Sequence, residues 1–209
     1  YAIPSGRLSG IVYHFVPKFF QKNKLPSYKN NIIENWESKI ESIIEEIEQE
    51  DLSIIGGIPP WCIQFFEKII EKRTIENLSK AYPNLTLYIH GGVDFSPYRQ
   101  KVQKLLGNHV QTLDTFPASE GFFAIQDIPE RTDLLLLVNQ GIFFEFRPLK
   151  QLNSKIVTLS EVALNTNYEL IISNMSGLYR YQMGDIIQFT CLSPFRIKVT
   201  GRTKQYISA

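Results

Sequence analysis

Histidine, cysteine and any excess of charge are scarce in this chain. Three histidines and two cysteines, Cys62 and Cys191, are scattered over 209 residues in unrelated contexts. That pattern excludes a disulfide framework and a zinc cluster of ordinary ligand spacing. A net charge of +1 removes the electrostatic case for nucleic acid or an anionic membrane surface as partner. No apolar run approaches the roughly 20 residues of a membrane-spanning helix, residues 134–138 being a short buried strand at most. The opening stretch, YAIPSGRLSG, has no apolar signal-peptide core and no initiator Met. The sequence is therefore expected to start inside a longer protein and to work in a reducing cytoplasm.

What is present is an ordinary globular composition, 44% hydrophobic and 21% charged, on a chain long enough to bury a substantial core. Residues 1–30 read as irregular, with three prolines and an aromatic cluster. Over 31–50, Ile32, Ile33, Trp36, Ile40, Ile43, Ile44 and Ile47 recur at three- and four-residue steps, which predicts an amphipathic helix. A short strand at 52–55 leads into the turn GGIPP, and Pro59 and Pro60 open a helix running to about Arg73. A second unit of the same form follows: strand 85–90, turn GGVDFSP, helix 98–106, strand 109–114. That rhythm predicts a parallel or mixed sheet with packed helices. Beyond 116 the helices give way to strand-like runs separated by Gly, Asn, Pro and Asp turns. The expected fold is α/β of mixed α+β character, with an α/β portion over 1–115 and a β-rich portion over 116–209.

Three segments carry chemistry: TFPASEGFF (115–123), GLYRYQMGD (177–185) and GRTKQYIS (201–208). In the first, a sharp turn at Pro117 aims Ser119 and Glu120 toward the carboxyl end of a strand, where open α/β sheets place ligands. A lone carboxylate there suits Mg²⁺, which takes one or two carboxylates plus phosphate oxygens, and Phe116 offers a face for a purine. In the second, Asp185 at a strand end can accept two hydrogen bonds from a ribose diol. In the third, Arg202 can contact ribose or phosphate. Taken singly, each segment also fits an ordinary turn or strand exit. His14, His90 and His109 read as structural, Glu145 as a residue facing solvent or a sheet partner, and Cys62 as core.

Taken together, in this order and at this spacing, the three segments resemble the adenylate-forming enzymes. Among these they are most similar to the GH3 acyl-acid amido synthetases, including bacterial members. GGIPPW (56–61) and YIHGGVDFSPYR (88–99) extend the likeness upstream, so that it covers most of 50–209 and, more loosely, 1–50.

The resemblance implies an ATP-dependent ligase that adenylates a carboxylic acid and passes the acyl group to an amine such as an amino acid. It implies that Glu120 holds Mg²⁺ and that Ser119, Phe116 and Ala118 line the adenine and α-phosphate region. Asp185 would bind the ribose hydroxyls, with Arg202 supporting ribose or phosphate. Lys204 would be a catalytic-hinge residue before a mobile C-terminal domain. Gly91, Gly92 and Val93 would run along the adenine face, and Trp61 would belong to the acyl-acid pocket. The family's Ser/Thr/Gly-rich phosphate loop and its small C-terminal lid are not in evidence here. The chain is therefore expected to be part of the large adenylating domain, with no full turnover of its own. An acid–thiol ligase using the same half-reaction, and a non-catalytic binding module on the same scaffold, remain open alternatives at the level of sequence.

Overall fold

The structure, a computed structural model, describes residues 16–149 and 155–203. It divides into two compact units whose segments alternate along the chain. The first comprises residues 16–55, 60–87 and 100–110; the second comprises 56–59, 88–99 and 111–203.

The first unit is helical. Two short helices, α1 (Lys18–Gln21) and α2 (Tyr28–Asn31), precede α3 (Trp36–Glu46). The single helix expected over 31–50 is thus shorter. Asn35 ends the preceding turn and its side chain accepts from the backbone N–H of Ser38 at 2.9 Å, so the helix starts at Trp36. Of the expected apolar stripe, Ile40, Ile44 and Ile47 are buried, whereas Ile32 precedes the helix and is exposed. Helix α4 (Pro59–Arg73) takes both prolines into its first turn, where the absent N–H groups would have had no intrahelical partner. Thr74 (φ 52°) ends it, so that 74–81 does not extend the helix; a separate turn, α5 (Leu78–Ala81), follows. Tyr82 is buried, its hydroxyl donates to the carbonyl of Ile47 at 3.3 Å, and the Arg73 guanidinium lies over its ring. Helix α6 (Arg99–Leu106) contributes buried Val102 and Leu106. Cys62 is buried, as expected.

The strands are β1 (Ile54–Gly56), β2 (Leu87–Gly91), β3 (Gln111–Ala118), β4 (Gly121–Ile125), β5 (Leu134–Leu136), β6 (Ile142–Pro148), β7 (Asn167–Asn174), β8 (Tyr181–Leu192) and β9 (Phe195–Arg202). They form a nine-stranded mixed sheet in the order β1-β2-β3-β4-β5-β9-β8-β7-β6. The α/β character expected from sequence is therefore present, with helices between the first strands and antiparallel pairing from β3 onward. Strand β9 pairs with β5 on one side and β8 on the other, joining the two antiparallel groups.

The core of the second unit is aromatic. Phe116, Phe123, Phe144, Phe146 and Phe189 follow one another at ring-centroid distances of 5.3, 6.2, 6.4 and 5.1 Å, mostly edge to face. That is the favoured range and arrangement for aromatic pairs. Tyr168, Leu170 and Ile172, alternate residues of β7, join this core with Ile187 of β8 and Ile197 of β9.

A buried ion cluster fixes β9 against the β4–β5 connection. Arg196, 4% exposed, donates to both carboxylate oxygens of Asp127 at 2.8 and 2.7 Å and lies 3.6 Å from Asp133. Asp133 in turn accepts two bonds from Arg131 and one from Thr190. The Arg131 hydrogen bond holds the Asp133 carboxyl far below the usual carboxylate range, with Thr190 adding to the effect. The Arg196 hydrogen bond likewise lowers Asp127. Both groups bind fewer protons folded than unfolded, so their stabilisation is present above the unfolded carboxylate pKa and is lost as pH falls below about 4. Arg196→Leu would leave two carboxylates without their shared cation. It is expected to destabilise by about 3 kcal/mol, or about 6–12 °C in Tm, and to flatten the acid limb of a pH–Tm series below pH 4.

Candidate functional site

The second unit contains a cleft of about 760 Å³, a size typical of small-molecule sites. Three chain segments far apart in sequence wall it: 92–96 after β2, 114–118 along β3, and 198–202 along β9, with Asp185 of β8 and Thr132 and Leu134 of β5 and its approach.

The β2 wall depends on a close backbone approach. A Cβ on Gly91 would lie 2.4 Å from the carbonyl oxygen of Thr115, 2.7 Å from its hydroxyl and 2.9 Å from Pro117. Only glycine lets β2 run so near β3, and the Thr115 hydroxyl then donates to the carbonyl of His90 at 2.6 Å. Gly92 and Val93 continue from there along the cleft.

The β3 wall differs from expectation. The chain does not turn sharply at Pro117. Strand β3 continues to Ala118, with the register slipping between Phe116 and Pro117. Proline has no N–H for the ladder, and an irregularity in pairing accommodates it. The reversal falls two residues later, at Ser119 and Glu120, where Ala118 pairs with Gly121. Phe116 and Ala118 line the cleft, but Phe116 is only 7% exposed and packs edge-on against Phe123, so little of its ring is left for stacking. Ser119 and Glu120 are not among the lining residues; they form the turn next to it along the chain. The Glu120 carbonyl accepts from Asn174, while its carboxylate has no hydrogen bond or ion pair among the described residues.

Asp185 is not at a strand end. Strand β8 runs through it to Leu192, because Gly184 (φ 76°) absorbs a local irregularity without ending the pairing. Antiparallel register sets Asp185 opposite Arg202 on β9. Arg202 Nε donates to Oδ1 at 2.7 Å and Nη2 to Oδ2 at 3.4 Å, across a carboxylate that is almost wholly buried. This hydrogen bond raises the Arg202 pKa above its ordinary value, with the charges of Asp185 and then Glu120 adding to it. A carboxylate offers about four acceptor positions, so the pair of Arg202 bonds leaves Asp185 able to receive two hydroxyl donors in a fixed plane.

The cleft therefore gathers Gly92, Val93, Phe116, Ala118, Asp185 and Arg202, with Gly91 shaping the strand behind it. Trp61 belongs to the first unit, where its ring meets Trp36 edge-on at 4.7 Å. Lys204 lies outside the described residues. Glu145 pairs with Arg180 at 3.0 Å. Sequence reasoning missed Asp94, Asp114, Lys198 and Thr200 as lining residues. Alternation along β9 does not single out the last two, since the register shifts between Val199 and Gly201 and consecutive residues 198–202 line the cleft.

Comparison with known proteins gives the class first. The chain superimposes on a GH3.15 acyl acid amido synthetase with a TM-score of 0.63 at 16% identity, covering 91% of this chain and 44% of that one. It matches a 2-hydroxyisobutyryl-CoA ligase with a TM-score of 0.58 at 10% identity, covering 78% and 36%. The fold is that of the adenylate-forming enzymes. Residues 135–202 match the GH3 family central domain. It is 34% identical over 121 residues to the jasmonoyl–L-amino acid synthetase JAR4 of Nicotiana attenuata, over 53% of this chain and 21% of that protein. It is 28% identical over 123 residues to the indole-3-acetic acid-amido synthetase GH3.3 of Arabidopsis thaliana, over 54% and 20%. The chain thus aligns with about a fifth of the length of these curated relatives.

Gly91→Ala is expected to push β2 from β3 at the cleft. The overpacking should cost about 1–3 kcal/mol, read as a lower urea midpoint at unchanged m-value.

Proposed function

We propose that this chain supplies the base and ribose side of the nucleotide site in an ATP-dependent acyl-acid amido synthetase. The observation that carries the reading is the buried Asp185 carboxylate, held in one plane by Arg202 on the cleft wall, within the stretch 135–202 that matches the GH3 family central domain. In the reaction, a carboxylate oxygen of the acid attacks the α-phosphorus of ATP and the bond to pyrophosphate breaks. The nitrogen of an amine, for which an amino acid is the proposed acceptor, then attacks the acyl carbon, and the bond to AMP breaks. Reactions of this kind depend on positioning and charge neutralisation. Asp185 would receive the ribose hydroxyls and Arg202 would keep its carboxylate oriented. Gly91, Gly92 and Val93 would let the base lie close to the backbone.

The described residues hold no group of three or more potential metal ligands. A magnesium ion held partly by nucleotide phosphates asks for only one or two carboxylates. Glu120, whose carboxylate is free of protein partners among the described residues, fits that demand. The ion would neutralise phosphate charge. No helix among the described residues is long and apolar enough to cross a membrane; with only two cysteines in the sequence, a reducing cytoplasm is the proposed setting.

Acid-dependent exchange of labelled pyrophosphate into ATP, measured on the longest natural product containing this chain, tests the reading. Exchange with at least one acid of an aromatic and aliphatic panel is expected, and Asp185→Ala and Glu120→Ala should each lower it about a hundredfold. Silence across the panel, or an unaltered rate in both variants, rejects adenylation. Thioester formation with coenzyme A in place of an amide would move the protein to the acid–thiol ligases.

A further inference from the structure

His90 is the one histidine among the described residues that combines full burial with unpaired nitrogens. It sits on β2 with its side chain 1% exposed, stacked on Phe95 at a centroid distance of 3.7 Å and 5.5 Å from Tyr88. Neither ring nitrogen has a hydrogen-bond partner. Burying such a group unpaired costs about 1–3 kcal/mol, and an exception of this kind calls for a cause. The cause lies across the strand. Nδ1 is 3.3 Å from Oδ1 of Asp114, within ion-pair range but outside hydrogen-bond geometry.

Asp114 is a lining residue of the cleft with its side chain 30% exposed. Its backbone is pinned, since its N–H donates to the side chain of Gln126 at 2.9 Å and its carbonyl accepts from the Gln126 N–H at 2.8 Å. The carboxylate alone is left to adjust. His90 is fixed as well, through its stacking and through the Thr115 hydroxyl on its carbonyl. A small rotation of Asp114 would close the 3.3 Å gap into a bond. Hydrogen bonds that are long in an empty site commonly tighten once the ligand is seated. The proton must be on Nδ1, because two lone pairs at this distance repel. His90 does not line the cleft, so it acts through Asp114 and not on a ligand directly.

We propose that His90 is a positioning residue. From beneath the cleft it holds one carboxylate oxygen of Asp114, so that the other accepts a hydrogen bond from the exocyclic amine of a nucleotide base. This rests on the nucleotide reading above and adds a selectivity to it: a 6-amino purine donates to a carboxylate, whereas a 6-oxo purine presents an acceptor and is repelled.

The test is the affinity of the longest natural product containing this chain for ATP and for ITP by equilibrium dialysis, alongside thermal melts. The wild type is expected to favour ATP. His90→Phe keeps a stacking ring without the donor and should weaken ATP about tenfold while leaving ITP nearly unchanged. His90→Asn places its amide nitrogen where Nδ1 stood and should recover most of the preference. His90→Gln, of equal polarity but with its nitrogen near the Nε2 position, should not. Should the Phe variant fail to fold, the Asn and Gln pair decides. Equal losses for both nucleotides, or identical behaviour of Asn and Gln, in a wild type that prefers ATP overturns the role of His90 alone. A wild type that binds neither nucleotide overturns the nucleotide reading and this inference with it.

Discussion

The pairing of β8 with β9 is the constraint on which the second unit depends. Its register sets Asp185 against Arg202 at one end and Cys191 against Arg196 toward the other. The first pair is the fixed carboxylate of the cleft. The second brings Arg196 to Asp127 and Asp133, and so ties β9 to the segment that leads into β5. A one-residue slip would reverse the faces of β9, exposing buried Ile197 and removing Arg202 from Asp185. The same pairing therefore holds the fold and aims the site.

The cleft is built by backbone as much as by side chains. Gly91 permits the close approach of β2 to β3, and Gly184 lets β8 take a local irregularity and continue. Phe116 shows how core and cleft share residues: it lines the cavity yet belongs to the aromatic series that runs through Phe123 and Phe144 to Phe189. A rigid core behind a ligand wall keeps its polar groups from relaxing away from the geometry they must present.

Periodicity made much of the architecture legible. The stripe containing Ile40, Ile44 and Ile47, the two prolines opening α4, and the run of strands after residue 120 all follow from local rules. Boundaries were less legible. Asn35 shortened α3 through a cap, and the chain passed Pro117 and Gly184 without ending a strand, because pairing with neighbours outweighed local turn preference. At the site, the glycines, Asp185 and Arg202 were visible as a family pattern. Asp114 and Lys198 were not, since a charged residue on a strand looks the same whether it faces solvent or a cleft, and Asp94 sits in a turn whose place beside the cleft no local pattern expresses.

By itself the sequence determined the element types, the α/β character and the short segments from which the site is made. It did so because helical and strand periods, caps and glycine conformations are properties of a few neighbouring residues. Tertiary structure decided which segments meet. Asp185 and Arg202, and His90 and Asp114, become partners only through strand register and order. Those depend on burying one face of the whole sheet at once, which no local stretch of sequence expresses.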